Sequence, residues 1–319
     1  MPAPSAIAID IGASSVKSAI VTSAPDWRIT RRLETIAVPA RTFAALSAVV
    51  IDVTRHARAA APEIARIGIS TTGSVSPDNI VISSGFYAGY EQADWNAILA
   101  TACDTTFDAV RVVTDGRAAA WGSFLADRKA RGSNVAHFVI GSGVGGGLVI
   151  NGAPFNGTHH HAGAFGHIKV TADPTPVCVC GGRGCVELFS AAPAVLRHAA
   201  ARLPAGDPAL ADMYALAKAA REGSEGAREA FREAGRWLAV AIGAVANVVD
   251  PEFITVGGGV VAAAEMTADG SGGNWYVDAA AEAAPAMVTP RIGDHLKVVT
   301  GSLLNDAALV GAAAMAMDA

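Results

Sequence analysis

The chain has 319 residues, a formal net charge of −5 and a pI near 5.9. An acidic chain without a basic stripe is not expected to bind nucleic acid, and no apolar run is long enough to span a bilayer. The N-terminus shows no basic segment followed by an apolar run, so no secretory signal is predicted. The length exceeds what one hydrophobic core usually holds, which indicates two lobes.

The first predicted elements are two strands joined by a turn of small residues. Residues 6–10 form the first strand, and the second alternating strand ends near residue 22. A dinucleotide-binding fingerprint needs a helix after the turn, so that site is excluded. Glycine lets backbone N–H groups approach an anion, and an acid at a strand end can hold Mg²⁺ through water. This turn is a candidate phosphate site at Asp10, Gly12, Ser14 and Lys17.

The remaining pattern alternates strands and helices, as in an α/β fold. Helices are predicted over 42–60, from about 117 to 130, through much of 190–249, and from about 306 onward. Strands are predicted at 66–70, 110–114 and 254–256, and 138–150 is a second strand–turn–strand unit. Two such hairpins predict two related lobes. Together with a glycine run after the strand at 254–256, they favour a nucleotide cradle at Ser142, Gly143, Gly145, Gly146, Gly257 and Gly258.

Three of the four cysteines lie within eight residues, in the run C-V-C-G-G-R-G-C, and His167 is eleven positions upstream. Three thiolates and one imidazole make a closed tetrahedral zinc shell. Disulfides are the alternative, but Cys178 and Cys180 are too close in sequence to pair without strain, and Cys103 is distant. We therefore predict a structural Zn²⁺ at His167, Cys178, Cys180 and Cys185, which also suits a reducing cytoplasm.

The whole chain resembles the ROK family, bacterial sugar kinases and their repressor relatives on the actin-like (ribonuclease H-like, hexokinase-type) ATPase fold. The matching segments are A-I-D-I-G-A-S-S-V-K, V-T-D-G-R-A-A-A-W-G, G-S-G-V-G-G-G-L-V-I-N-G, A-G-A-F-G-H, the cysteine run, D-P-E-F-I-T-V-G-G-G and G-S-L-L-N-D-A-A-L-V-G-A-A. The resemblance implies ATP and Mg²⁺ at the two turns, adenosine against the glycines after residue 256, and a homodimer. It implies sugar contacts at Asp115, His167 and Glu187.

Asp115 follows a strand and opens a helix, where a carboxylate also commonly caps the helix. The positive end of the helix is expected to keep it ionised. The resemblance favours a catalytic base that accepts the proton of the attacking sugar hydroxyl. The expected small lobe is residues 1–116 with 306–319, and the expected large lobe, with the zinc knuckle, is 117–305.

Two positions depart from the family pattern. Thr114 stands where the family has Asn, and Ala164 stands where it has Glu. His160 occupies a place where the family tends to have glycine, and its imidazole is a candidate sugar contact. Losing hydrogen-bond partners weakens selection for the hydroxyls that they served. The resemblance then implies a kinase for the primary hydroxyl of a modified hexose or related ring, such as kanosamine or a C7-cyclitol.

Several alternatives stay open. They are an ordinary glucokinase or N-acetylmannosamine kinase, a non-catalytic sugar-binding protein, and a donor other than ATP, polyphosphate included. A DNA-binding repressor is not expected, because Asp10 leaves no room before it for a helix-turn-helix and the charge is wrong for DNA.

Overall fold

The computed structural model describes residues 3–23, 26–83, 86–103, 107–127, 134–173, 176–267 and 272–318. Within these residues the strands are β1 Ser5–Ile11, β2 Ser15–Thr22, β3 Arg28–Ala37, β4 Arg66–Thr71, β5 Ser74–Val75, β6 Val81–Ser83, β7 Ala109–Thr114, β8 Val135–Ile140, β9 Val144–Ile150, β10 Ala153–Phe155, β11 Phe253–Gly257 and β12 Val298–Thr300. The helices are α1 Phe43–Ala60, α2 Trp95–Ala102, α3 Asp115–Asp127, α4 Glu187–Ser190, α5 Ala192–Ala200, α6 Met213–Arg221, α7 Glu225–Val249, α8 Gly259–Ala263, α9 Trp275–Ala283, α10 Pro290–Gly293 and α11 Ala307–Met317.

The chain divides into two compact units. The first contains residues 1–129, 153–163 and 306–319, and the second contains 130–152 and 164–305. The expected boundary after residue 116 falls inside α3, whose residues belong to the first unit with α11. Residues 153–163, which we expected in the large lobe, also belong to the first unit.

The first unit contains a five-stranded sheet in the order β3-β2-β1-β4-β7. β1, β4 and β7 are parallel, whereas β2 and β3 complete an antiparallel meander at the other edge. The predicted hairpin is present, and its register places Asp10 opposite Lys17. The parallel pairing brings the carboxyl ends of β1, β4 and β7 to one edge, which positions the side chains that follow them.

The predicted helices of the first unit match the structure closely. α1 begins at Phe43 after Thr42, whose side chain accepts a hydrogen bond from the Ala45 backbone N–H, and ends at Ala60. α3 begins two residues earlier than expected, at Asp115, and residues 128–130 of that prediction lie outside the described residues. Strand β3 was missed, because its charged residues are mostly exposed at the sheet edge.

α11 packs against β4 and α3 through glycine. A Cβ atom on Gly68 would lie 2.0 Å from the backbone oxygen of Ala312, and one on Gly122 would lie 2.0 Å from that of Ala307. A Cβ on Gly311 would lie 1.7 Å from the Ala118 oxygen. Such close backbone approach requires glycine at these positions.

Replacing Gly68 by Ala is therefore expected to lower the free energy of unfolding by about 3 kcal/mol, the upper range for an overpacked core. The new methyl group meets backbone on α11, which cannot move aside as a flexible side chain would. A urea unfolding curve measures the change. Gly141→Ala is the control, because no heavy atom lies within 4 Å of a Cβ there. Equal urea midpoints for the two variants would contradict the packing described above.

In the second unit, the strands follow the order β9-β8-β11-β12. β8 and β9 form the second predicted hairpin, and β8, β11 and β12 are parallel. The long helix α7 supplies much of the core through Phe231, Leu238 and Ile242, each fully buried. No helix in the described ranges combines the length and apolar character needed to cross a membrane.

Candidate functional site

The first turn lies at the carboxyl end of β1. The Asp10 carboxylate accepts a hydrogen bond from Ser70 Oγ at 2.9 Å and lies 3.8 Å from Lys17 Nζ. Burial raises the pKa of Asp10, while Lys17 and Ser70 act in the opposite direction. An acid held between a cation and a hydroxyl at the end of a strand suits indirect coordination of Mg²⁺.

Hydrogen bonds hold the backbone of this turn at both the N–H and the carbonyl of Gly12. The Gly12 N–H donates to the Ser15 carbonyl at 2.9 Å, and Tyr87 Oη donates to the Gly12 carbonyl at 2.8 Å. The carbonyl of Ser14, whose side chain is exposed, accepts from the Val38 N–H. Sequence reasoning missed Tyr87 because it lies 75 residues from Gly12 and no local pattern links them.

Tyr87 belongs to a buried aromatic group behind the turn. Its ring packs edge-on against Tyr90, and Tyr90 Oη receives a hydrogen bond from Trp95 Nε1 at 2.9 Å. Tyr90 also exchanges a hydrogen bond with Thr71, the last residue of β4. Trp95 is fully buried and belongs to this aromatic core.

Asp115 is the first residue of α3, directly after Thr114 at the end of β7. Its Oδ1 accepts a hydrogen bond from the Gly116 N–H at 2.7 Å. Burial raises the pKa of Asp115 to about 6, with the Gly116 hydrogen bond lowering it and Asp10 raising it further. The expected effect of the helix end, which is to keep this group ionised, is therefore opposed by desolvation. A pKa near 6 suits a group that must accept a proton near neutral pH.

His160 lies in the same unit with a left-handed backbone, φ +57°. Its carbonyl accepts a hydrogen bond from Arg117 Nη2 at 3.1 Å, and its Nδ1 lies 3.4 Å from Arg117 Nη1. Glycine adopts a positive φ readily, which explains why the family tends to have glycine where this chain has His160. Thr114 pairs with Thr71 in the sheet.

The second turn lies between β8 and β9, in the second unit. The Val144 N–H donates to Glu187 Oε2 at 2.9 Å, and a Cβ on Gly143 would lie 2.4 Å from that oxygen. Glu187 is the first residue of α4. Glycine at 143 therefore makes room for the Glu187 carboxylate, a packing role that sequence reasoning did not foresee. Ser142 at the tip of the turn is exposed.

Glycines of this hairpin and of the neighbouring 3₁₀ helix also permit close approach. A Cβ on Gly146 would lie 2.2 Å from the Phe165 ring, and a Cβ on Gly166 would lie 2.1 Å from the Val144 oxygen. Gly145 pairs with Val139 within the hairpin. Hence β9 contacts the short 3₁₀ helix Phe165–His167 so closely that the hairpin fixes the position of His167.

The third glycine segment follows β11. Gly257 ends the strand, and Gly258 has φ +99° with a Cβ position 2.5 Å from the Ile140 oxygen. Both its backbone conformation and its surroundings therefore require glycine at 258. α8 begins at the next residue.

The predicted zinc ligands come together. One ligand atom from each of His167, Cys178, Cys180 and Cys185 lies within 4.8 Å of the others. The sulfurs of Cys180 and Cys185 are 3.6 Å apart and all four cysteines of the chain are free, so the disulfide alternative is wrong here. Glu187 Oε1 lies 3.7 Å from the Cys178 sulfur, so Glu187 contacts both this cluster and the second turn.

The predicted residues thus fall into two groups. The first unit holds Asp10, Gly12, Ser14, Lys17, Thr114, Asp115 and His160. The second unit holds Ser142, Gly143, Gly145, Gly146, His167, Cys178, Cys180, Cys185, Glu187, Gly257 and Gly258. Ser70, Tyr87 and Arg117 complete the contacts of the first group, and sequence reasoning singled out none of them.

A family model described as the ROK family matches residues 6–319. The chain belongs to the ROK family. The predicted family is thereby confirmed.

Among curated relatives of this ROK protein, a glucokinase of Streptomyces coelicolor is 26% identical over 336 residues, covering 98% of this chain and 97% of the relative. An N-acetylmannosamine kinase of Escherichia coli O139:H28 is 30% identical over 318 residues, covering 97% of each. A kanosamine kinase of Amycolatopsis mediterranei is 33% identical over 200 residues, covering 61% of each.

Solved structures show the same fold. A ROK family glucokinase from Streptomyces griseus in complex with glucose and AMPPNP matches with a TM-score of 0.82 and 25% identity, over 99% of this chain and 100% of that one. A ROK hexokinase from Thermus thermophilus matches with a TM-score of 0.72 and 21% identity, over 98% of each chain. These likenesses confirm the predicted α/β, actin-like ATPase fold.

Proposed function

We propose that this ROK protein is an ATP-dependent kinase acting on the primary hydroxyl of a hexose or hexose-like ring. The observation that carries the proposal is Asp115, a partly buried carboxylate with a pKa raised to about 6 in the same unit as the Asp10 turn. Relatives named as glucokinase, N-acetylmannosamine kinase and kanosamine kinase support a sugar as the acceptor.

In the proposed reaction, Asp115 accepts the proton of the sugar hydroxyl as its oxygen bonds to the γ-phosphorus of ATP. The bond from that phosphorus to the bridging oxygen breaks, and ADP leaves. Phosphoryl transfer depends mainly on alignment and on stabilisation of charge. The nucleotide would be held by Asp10, Gly12, Ser14, Lys17, Ser142, Gly143, Gly145, Gly146, Gly257 and Gly258.

Two metals have separate roles in this proposal. Mg²⁺ would be held through water by Asp10, whose carboxylate fits that role, and it would neutralise charge on the phosphates. Zn²⁺ would be structural, because the donor set of one imidazole and three sulfurs leaves no open position. The bound Zn²⁺ would fix the ring of His167 and the start of α4, where Glu187 lies, for contact with the sugar.

The kinase proposal is tested by an ADP-release assay on a panel of sugars. Glucose, N-acetylmannosamine, kanosamine and a C7-cyclitol serve as acceptors, and polyphosphate is tried in place of ATP. We expect sugar-dependent ADP release with at least one acceptor. Sugar binding without any turnover would contradict the kinase proposal and favour a non-catalytic sugar-binding protein.

We further propose that the acceptor is a modified ring, such as a 3-amino sugar or a cyclitol, rather than glucose. The support is the hydroxyl of Thr114 and the methyl of Ala164, where the family has an amide and a carboxylate. His160 remains a proposed contact. A kcat/KM for glucose clearly above that for the other acceptors would contradict this substrate and leave the kinase proposal intact.

Restoring the family residues at positions 114 and 164 also tests whether these positions select the acceptor. In the double variant Thr114→Asn, Ala164→Glu, we expect kcat/KM for glucose to rise about tenfold, the effect of regaining roughly 1.4 kcal/mol of hydrogen bonding. The two single variants are the controls, measured with glucose and kanosamine. No gain for glucose in the double variant would show that these positions do not select the acceptor.

The raised pKa of Asp115 predicts a particular pH dependence. A base works only when deprotonated, so kcat/KM should fall about tenfold per pH unit below about pH 6 and level off above it. An aspartate with an ordinary pKa would keep the profile flat to about pH 4. Initial rates at saturating ATP measure the profile. The range from about pH 5 to about pH 7 brackets the expected midpoint. A flat profile across this range would contradict the assigned base.

A homodimer is also part of the proposal, on the strength of the family resemblance. Light scattering on the purified protein tests it, and a monomer at micromolar concentration would contradict it.

A further inference from the structure

The first unit contains a cavity of about 240 Å³ beside the edge strand β7. Its lining includes Asn79, Arg111, Arg117, Trp121, Asn156 and His160. Asp10 and Asp115, which carry the proposed chemistry, are not among its lining residues. The cavity therefore calls for an explanation of its own.

Arg117 is the central cation of this cavity. Its side chain projects from α3 and the residue is only 5% exposed. Its guanidinium donates to neutral groups, Asn156 Oδ1 at 2.9 Å and the His160 carbonyl at 3.1 Å. Among the described residues, no carboxylate lies within 4.0 Å of it. A buried charge without a counter-ion is costly, and burial accordingly lowers the pKa of Arg117.

Two residues of the lining also carry buried donors that lack partners. Arg117 Nε and Trp121 Nε1 make no hydrogen bond within the described part of the chain, although both atoms are buried. An unsatisfied buried donor typically costs about 1–3 kcal/mol. Both donors are N–H groups, and the group that would satisfy them is an acceptor.

The charge around the cavity is mainly positive. Arg111 is exposed, and among the described residues its Nη1 donates to Asn79 Oδ1 at 3.5 Å. Burial lowers the pKa of His160, and the positive charges of Arg117 and Arg111 add to that effect. Asp318 also contributes to the lining, but it is exposed and forms no ion pair with either arginine in the described structure.

We propose that this cavity binds a small oxyanion, such as phosphate, sulfate or a carboxylate group, at a site separate from the Asp10 and Asp115 carboxylates. The anion neutralises the buried guanidinium of Arg117, with Arg111 adding a second positive charge, and a local adjustment on binding lets Arg117 Nε and Trp121 Nε1, which are covered in this structure, donate to it. Charge-assisted hydrogen bonds of this kind are stronger than neutral ones. The site shares only His160 with the proposed sugar contacts and does not depend on the kinase proposal.

A purely structural role for Arg117 is the competing explanation, since its Nη atoms hold Asn156 and His160 in place. Two substitutions distinguish the explanations without touching those contacts. Trp121→Phe removes one unpartnered donor and keeps an aromatic ring. Arg111→Gln removes the exposed positive charge. Neither residue belongs to the proposed catalytic or nucleotide-binding groups.

The experiment is calorimetric titration of the full chain with inorganic phosphate, sulfate and acetate at constant ionic strength. We expect binding of at least one anion, weakened about tenfold by Arg111→Gln and several-fold by Trp121→Phe. Arg28→Gln is the charge-matched control, because Arg28 is exposed on β3 of the same unit. Lys17→Gln controls for phosphate bound at the first turn.

Comparison of the anions identifies the preferred class, since phosphate and sulfate are tetrahedral whereas acetate is planar. The proposal fails if no anion binds at tens of millimolar. It also fails if Trp121→Phe or Arg111→Gln leaves the affinity unchanged, or if Lys17→Gln alone abolishes binding. Retained affinity in Arg28→Gln together with losses in the two cavity variants establishes the site.

Discussion

Replacing Asp115 by Asn is expected to lower kcat for sugar phosphorylation about 10³-fold, within the range for loss of a positioned general base. The amide keeps the size of the carboxylate and can still accept the Gly116 N–H that Oδ1 accepts now. It cannot take up the proton of the attacking hydroxyl. The KM for the sugar should change far less than kcat, because the amide keeps the shape of the carboxylate and can still form hydrogen bonds in the site.

The control for this variant is Asp94→Asn. Asp94 caps α2 in the same unit by accepting a hydrogen bond from the Ala97 N–H, and it has no part in the proposed chemistry. If Asp115 served only to cap α3, the two variants would behave alike, with small changes in stability and full activity. Steady-state kinetics and a thermal melt on both proteins decide between these roles. Full activity of Asp115→Asn refutes the assigned base.

Replacing Cys185 by Ser is expected to remove the proposed Zn²⁺ and most of the proposed kinase activity. Zinc content should fall from about one ion per chain to a small fraction, because a hydroxyl is a poor substitute for a thiolate in a closed shell. Cys185 is fully buried in the ligand cluster. Without the ion, Cys178 is no longer held in place, and Cys178 contacts Glu187. The Glu187 carboxylate, which accepts the Val144 N–H, is then also less well fixed. We expect kcat/KM to fall more than about 100-fold, the upper end for losing groups that orient a metal site.

Cys103→Ser is the matched control, since Cys103 lies in the first unit, outside the ligand cluster, directly after the last residue of α2. Metal analysis by mass spectrometry and a thermal melt accompany the kinetics. The melting temperature of Cys185→Ser should drop, whereas the control should keep both metal and activity. Purified wild-type protein without zinc, or a Cys185→Ser variant that retains it, would contradict the structural metal.

Much of this fold is predictable because its signals are local. The hairpin of β1 and β2 follows from a buried apolar run, a turn of small residues and a second, alternating strand, and its register brings Lys17 opposite Asp10. The cluster that could hold a metal was predictable because three of its four residues are cysteines close in sequence. The charged edge strand β3 was missed, since exposed residues on an edge carry little hydrophobic pattern.

The contacts that refine the site depend on distant partners and are not readable from the sequence. Tyr87 reaches Gly12 across 75 residues, and Arg117 reaches His160 across 43. The second turn shows a different limit. Glycine at 143 and 146 was interpreted as room for a nucleotide, and the side chains that pack against these glycines, Glu187 and Phe165, come from elements that follow later in the chain.

The close packing of α11 on β4 has a consequence for how the protein is made. The first unit takes residues from both ends of the chain, and Gly68 contacts Ala312 across the whole intervening second unit. On a ribosome, β4 emerges early and must wait for α11, so its buried face stays uncovered while the rest is synthesised. The second unit, by contrast, has most of its residues in sequence and can condense first. Vectorial synthesis thus favours an order in which the unit begun first is completed last.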